Sequence, residues 1–135
     1  MRIEIMQPTG HLNSTSTDYF RQQASTVLDR KPDVLLVDLQ HLKQMDSSGL
    51  GALIFALRSA KAIGCKLALC SISEYIIFLL EATSMKGLFE IFENRNQFEE
   101  SLKKVYLYQV LRHKYKTRTK ICTARVAGGT DFEVL

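Results

Sequence analysis

Residues 33–60 show a strand pattern followed by a helix pattern, with a short polar segment between them. Residues 33–39 form an apolar run of the length expected for a buried strand. In residues 50–60, apolar side chains recur at steps of three and four, as on one face of a helix. The segment between, residues 45–51, reads Met-Asp-Ser-Ser-Gly-Leu-Gly. It predicts a strand-loop-helix corner at which three residues can cap the helix: Asp46, Ser47 and Ser48.

The same alternation of apolar runs and amphipathic segments recurs along the chain. Strands are expected at residues 3–6, 33–39, 66–71 and 88–92. Helices are expected at residues 15–30, 50–64, 75–82 and 96–111. Three capping boxes are expected to start helices, namely Thr15 with Asp18, Ser71 with Glu74 and Asn96 with Glu99. These patterns predict a single α/β domain with a mostly parallel central sheet and about four helices.

Charge is divided unevenly along the chain, whose formal net charge is +4. Residues 1–102 hold 10 Lys and Arg against 12 Asp and Glu, whereas residues 103–135 hold 8 against 2. We therefore predict a domain at residues 1–111 and a basic C-terminal tail at residues 112–135. Nucleic acid or an anionic membrane could bind this tail, although charge runs of this kind usually face solvent.

Several classes of protein are not favoured by the sequence. No apolar run approaches the roughly 18 residues of a membrane helix, and the N-terminus lacks a signal-peptide pattern, so we expect a cytoplasmic protein. The three cysteines and three histidines lack metal-ligand spacing, so no metal or cofactor is expected. Ser47 lacks the Gly-x-Ser-x-Gly elbow of a hydrolase, and Gly49-Leu50-Gly51 is too short a signal for a nucleotide site. None of these patterns favours a catalytic site, and we do not expect an enzyme.

Several segments resemble those of the STAS family (sulphate transporter and anti-sigma factor antagonist), over about residues 3–108. The most specific is Asp-Ser-Ser-Gly-Leu-Gly within residues 45–51, preceded by Val-Asp-Leu at residues 37–39. Gly64, the strand that follows it and residues 85–91 also resemble family segments. The resemblance implies a STAS-like domain, followed here by a basic extension that the minimal family domain lacks.

The resemblance also implies a function, that of a bacterial anti-sigma factor antagonist. Members bind an anti-sigma factor that is also a serine kinase, which frees the sigma factor. The kinase phosphorylates the first serine of the pair and so breaks the complex, and a metal-dependent serine phosphatase resets the switch. Transferred to this chain, the phosphoacceptor is Ser47. Partner binding is assigned to five further residues: Asp46, Ser48, Gly49, Leu50 and Asn13.

Two of these assignments have alternatives. Helix capping alone would also explain residues 46–48. Gly49 and Gly51 would either leave the loop open to a partner or allow close packing of helix on sheet. Asn13 ends a Gly-His-Leu-Asn segment where family members usually carry an acidic residue.

Alternatives also remain for the tail and for the function as a whole. Family members usually have one more strand before the first strand of this chain. Residues 116–126 alternate in polarity and could cover that sheet edge, but we expect a solvated tail. Other functions compatible with the family are a STAS subunit of a stressosome-like or lipid-transport assembly, and a small-ligand or nucleotide sensor.

Overall fold

Four parallel strands form the central sheet of the computed structural model. The structure describes the backbone of residues 2–114, 122–126 and 130–134, and the side chains of residues 2–104. The eight strands are β1 Ile3–Met6, β2 Gly10–Leu12, β3 Val34–Asp38, β4 Leu42–Met45, β5 Lys66–Cys70, β6 Glu90–Phe92, β7 Cys122–Val126 and β8 Thr130–Val134. The helices are α1 Thr17–Asp29, α2 Ser47–Ala62, α3 Glu74–Ala82 and α4 Arg95–Lys114. The central sheet has the order β1-β3-β5-β6.

Helices cover both faces of this sheet. Alternate residues of β3 and β5 point to opposite sides, as the period of two along a strand requires. Leu35 and Leu69 belong to the larger core with α1, α2 and α3, whereas Leu36 and Ala68 belong to the smaller core with α4. All five residues of β3 are buried, as is usual for a parallel strand with both faces covered. The predicted α/β class, parallel sheet and helix number are confirmed.

Asp38, in the Val-Asp-Leu segment, is fully buried at the end of β3. Its Oδ2 accepts hydrogen bonds from Arg95 Nε at 2.7 Å and Gln7 Nε2 at 3.2 Å. Its Oδ1 accepts from the backbone N–H of Gln40 at 3.0 Å. This carboxylate therefore joins the ends of β1 and β3 to the first residue of α4, and its hydrogen bonds offset the cost of burying it.

A second, two-stranded parallel sheet of β2 and β4 was not predicted from the sequence. Leu12 pairs with Met45, and both side chains are buried. The strands have only three and four residues and include exposed polar side chains, so neither has a run long enough for a strand pattern. This small sheet holds the segment before α1 next to the segment before α2.

The three predicted capping boxes are wrong. The Thr15 hydroxyl donates to Asn13 Oδ1 at 2.6 Å instead of capping α1, whose N-cap residue is Ser16. Helix α3 is capped by Ser73, whose Oγ accepts from Ile76 N at 3.3 Å, and not by Ser71. At α4, Asn94 Oδ1 accepts from Gln97 N at 2.8 Å, two residues before the expected cap, Asn96. More than one polar residue lies at the start of each of these helices, so capping-box spacing alone does not identify the residue that caps it.

The C-terminal region contains more regular structure than was expected. Helix α4 continues to Lys114, three residues past the predicted end. Strands β7 and β8 form an antiparallel hairpin, and β7 lies close to β1 at the edge of the central sheet. In the tail segment 116–126, residues 122–126 are therefore a strand, while residues 116–121 lie outside the described part of the chain.

Candidate functional site

Ser47 is the first residue of α2, and its side chain is exposed. Asp46 before it has an extended backbone and caps the helix, since its Oδ1 accepts a hydrogen bond from the N–H of Gly49 at 3.0 Å. The capping role predicted for Asp46 is thus confirmed. We call residues 46–49 the serine corner. It presents a hydroxyl group to solvent at the positive end of a helix dipole.

The small β2–β4 sheet holds the serine corner in place. The N–H of Asp46 donates to the carbonyl of Leu12 at 3.3 Å. Gly49 is buried, and a Cβ atom at this position would collide with the Leu12 carbonyl oxygen and come within 2.7 Å of Met45 Cγ. A Cβ on Gly51 would meet no atom within 4 Å. Close packing therefore requires glycine at position 49 and does not require it at position 51.

The other residues assigned to partner binding differ in exposure. Leu50 is only 6% exposed and belongs to the larger core, so its role in this structure is packing, as for Gly49. Ser48 is half-buried and Asp46 is exposed. A partner that approaches the start of α2 therefore meets Asp46, Ser47 and part of Ser48.

Asn13 is half-buried and lies near the serine corner, because β2 pairs with β4. Its Oδ1 accepts from the backbone N–H of Thr15 at 3.0 Å, which stabilises the turn before α1. Asn13 and Asp46 line a shallow cavity of about 150 Å³ together with Tyr75 and four other residues. The structure thus brings together two predicted site residues that are separated by 33 positions in the sequence.

Tyr75 belongs to this surface although no pattern in the sequence predicts it there. It is in the first turn of α3, 55% exposed, and it lines the same cavity as Asn13 and Asp46. Its sequence signal is weak, since a tyrosine followed by apolar residues is compatible with ordinary helix packing. It adds an aromatic ring and a hydroxyl group to the cavity that Asp46 lines.

The cysteine thiols in the described part of the chain are buried and unreactive. The thiols of Cys65 and Cys70 are buried, and burial raises the pKa of each from 9.0 to about 11, so neither is a reactive thiolate near neutral pH. Within residues 2–104, no cluster of His, Cys, Asp and Glu has a metal-binding arrangement. Among the described helices, none combines the length and hydrophobicity needed to span a membrane.

Comparisons with known proteins agree with this fold. An anti-sigma F factor antagonist from Paenibacillus polymyxa is 29% identical over 90 residues, which are 66% of this chain and 74% of the relative. The structure of the Bacillus cell fate determinant SpoIIAA in its phosphorylated form is 19% identical with a TM-score of 0.55, over 75% of this chain and 88% of that chain. A sulfate transporter family protein from Wolinella succinogenes is 19% identical with a TM-score of 0.63, over 70% and 80% of the two chains.

The family model for the STAS domain matches residues 2–98, which include the whole central sheet, the serine corner and helices α1 to α3. The resemblance seen in the Asp-Ser-Ser-Gly-Leu-Gly segment is therefore confirmed over most of the chain. This chain belongs to the STAS domain family.

Proposed function

We propose that this protein is an anti-sigma factor antagonist that binds an anti-sigma factor serine kinase through the serine corner and is released when Ser47 is phosphorylated. A metal-dependent serine phosphatase restores the binding form, and the cycle regulates sigma-factor-dependent transcription. The protein acts as a binding module and kinase substrate, not as an enzyme. The observation that carries the proposal is an exposed serine at the start of α2, next to its capping aspartate, in a STAS domain.

Exposure favours Ser47 over Ser48 as the phosphoacceptor. A kinase must bring the hydroxyl oxygen in line with the γ-phosphate of ATP, so the acceptor has to be accessible. Ser47 is exposed, whereas Ser48 is half-buried on the next position of the helix. The name of the Paenibacillus relative supports the antagonist function, and the phosphorylated form of the Bacillus protein supports control by phosphorylation.

A phosphate on Ser47 is compatible with the fold and unfavourable in an interface. It adds about 1.5 to 2 negative charges and three acceptor oxygens at the end of a helix that attracts anions. In a complex, the same phosphate loses water next to the Asp46 carboxylate, which is exposed and one residue away. A loss of about 3 kcal/mol weakens binding roughly a hundredfold, because each 1.4 kcal/mol is a factor of ten.

The second candidate is a STAS subunit of a transport or stressosome-like assembly, in which the serine corner binds a different protein. The structural similarity to a sulfate transporter family protein favours it. A nucleotide sensor at this corner is less well supported, since the adjacent cavity of about 150 Å³ is smaller than the roughly 300 to 1,000 Å³ of typical ligand pockets.

Capture of partners from the native cell tests the proposal. Tagged Ser47→Ala protein cannot be released by phosphorylation and should retain an anti-sigma factor with a kinase domain, identified by mass spectrometry. Ser47→Asp is the matched control and should retain much less of it, while its circular dichroism stays like that of wild type. Recovery of transporter or scaffold subunits with both variants would instead support the second candidate.

A further inference from the structure

Strand β1 is an outer strand of the central sheet, because in the described part of the chain no strand continues this sheet beyond β1. The carbonyl of Arg2 accepts a hydrogen bond from the N–H of Val34 at 3.2 Å, and Ile3 is the partner of Val34 in the ladder. In a parallel ladder, the backbone groups of every second residue point to the same neighbouring strand. The N–H and C=O groups of Ile3 and Ile5 therefore point outward, where they are open to pairing with a further strand.

The two edges of the central sheet differ in how they resist pairing with another chain. Strand β6 has only three residues, and Glu90 at its start forms an ion pair with Lys66 at 2.7 Å, so charges lie at that edge. Strand β1 reads Ile-Glu-Ile-Met. Its single charged residue, Glu4, is buried and paired with Arg30 at 3.4 Å, so this charge is not presented at the outer side of the strand. Short or charged edge strands resist pairing, and β1 has neither protection.

The C-terminal hairpin lies at the β1 edge. Strand β7 lies close to β1, although it belongs to the separate β7–β8 sheet and not to the central sheet. All five residues of β7 pair with β8, so the hairpin has a ladder of its own. Because β7 is the strand near β1, β8 is the outer strand of the hairpin, and its sequence contains Asp131 and Glu133. Like charges on an outer strand disfavour pairing with a second copy.

We propose that the C-terminal hairpin covers the β1 edge and prevents a second copy of this chain from pairing with it. Helix α4 packs beside β1, since Phe98 and Leu102 share the smaller core with Ile3, and residues 115–121 join α4 to β7. A connection this short keeps the hairpin at an effective concentration of about millimolar near the edge. At lower protein concentrations the hairpin therefore occupies the edge in preference to a second copy. This role is independent of the proposed function of Ser47.

Analytical ultracentrifugation of full-length variants tests the proposal. The double-proline variant, Thr123→Pro with Ala124→Pro, removes one backbone donor from each side of β7 and so detaches the hairpin from the edge. The mass of this variant should rise with concentration toward about twice that of one chain, because two open β1 edges pair. Wild type should remain monomeric over the same range. The matched control, Thr123→Val with Ala124→Val, keeps both backbone donors and should also remain monomeric.

Two further substitutions in the double-proline variant identify the surface through which it associates. Ile5→Lys adds a charge to β1 and should restore the monomer, whereas Phe78→Lys should not, although Phe78 is 68% exposed on α3. Hydrogen exchange is a second measurement that leaves β1 unchanged. The N–H of Ile5 should become protected as the concentration of the double-proline variant rises, whereas the N–H of Glu4, which points to β3, should not change. A monomeric double-proline variant, a monomer restored by Phe78→Lys, or a wild-type dimer that Ile5→Lys dissociates would each overturn the proposal.

Discussion

Gly49 and Gly51 are two glycines in the first turns of α2 that should respond in opposite ways to substitution by alanine. A Cβ on Gly49 would collide with the Leu12 carbonyl oxygen and come within 2.7 Å of Met45 Cγ. Leu12 and Met45 are each 2% exposed and are paired across the β2–β4 sheet, so neither has room to move away. Overpacking of this kind costs about 1 to 3 kcal/mol. Gly49→Ala should therefore lower the melting temperature by several degrees.

Gly51→Ala is the internal control for this prediction. A Cβ at position 51 would meet nothing within 4 Å, and glycine in a helix interior is less stable than alanine by roughly 0.5 to 1 kcal/mol. This variant should melt at or above the wild-type temperature. Thermal unfolding followed by circular dichroism measures both. If Gly49→Ala were as stable as Gly51→Ala, the serine corner would not pack on β2 as described.

Three further predictions concern the cap, the thiols and the C-terminal hairpin. Asp46→Ala removes the cap of α2 and should cost about 1 kcal/mol in urea unfolding, whereas Asp46→Asn should retain most of it. The pKa of Cys65 and Cys70 rises from 9.0 to about 11 on folding. The free energy of unfolding should therefore fall as pH rises between these values, because only the thiols of the unfolded chain ionise there. The double variant Cys65→Ala with Cys70→Ala should show a smaller fall in the free energy of unfolding over the same pH range. Deleting residues 115–135 should leave a folded domain whose melting temperature falls by less than about 10 °C, since β1 keeps its pairing with β3, and a larger fall would mean that the hairpin is part of the core.

Local patterns in the sequence predicted most of the central fold. The apolar run at residues 33–39 matches β3, and the helix pattern after Asp46 matches α2, because hydrophobic period is a local property. Gly64, which was expected to end that helix, follows it with a positive φ of 74°. For such elements the local preference and the final structure agree.

The geometry of the candidate site was less predictable, because it depends on pairing between distant segments. Strand β2 has only three residues, and it becomes a strand through its partner β4, about 30 residues later in the chain. That pairing brings Asn13 next to Asp46 and brings the Leu12 carbonyl against Gly49. The sequence alone could not separate a packing role from an open loop for this glycine. Tyr75 entered the site for the same reason, since the position of α3 is a tertiary property.

Mass spectrometric mapping of phosphate is the most direct test of the central claim about Ser47. The protein is incubated with ATP and the kinase recovered by the Ser47→Ala capture, and binding is measured before and after the reaction. The account predicts one phosphate, on Ser47, together with loss of kinase binding and an unchanged melting curve, because this exposed residue starts α2. Phosphate on Ser48, or a complex that persists after Ser47 is fully phosphorylated, would contradict it.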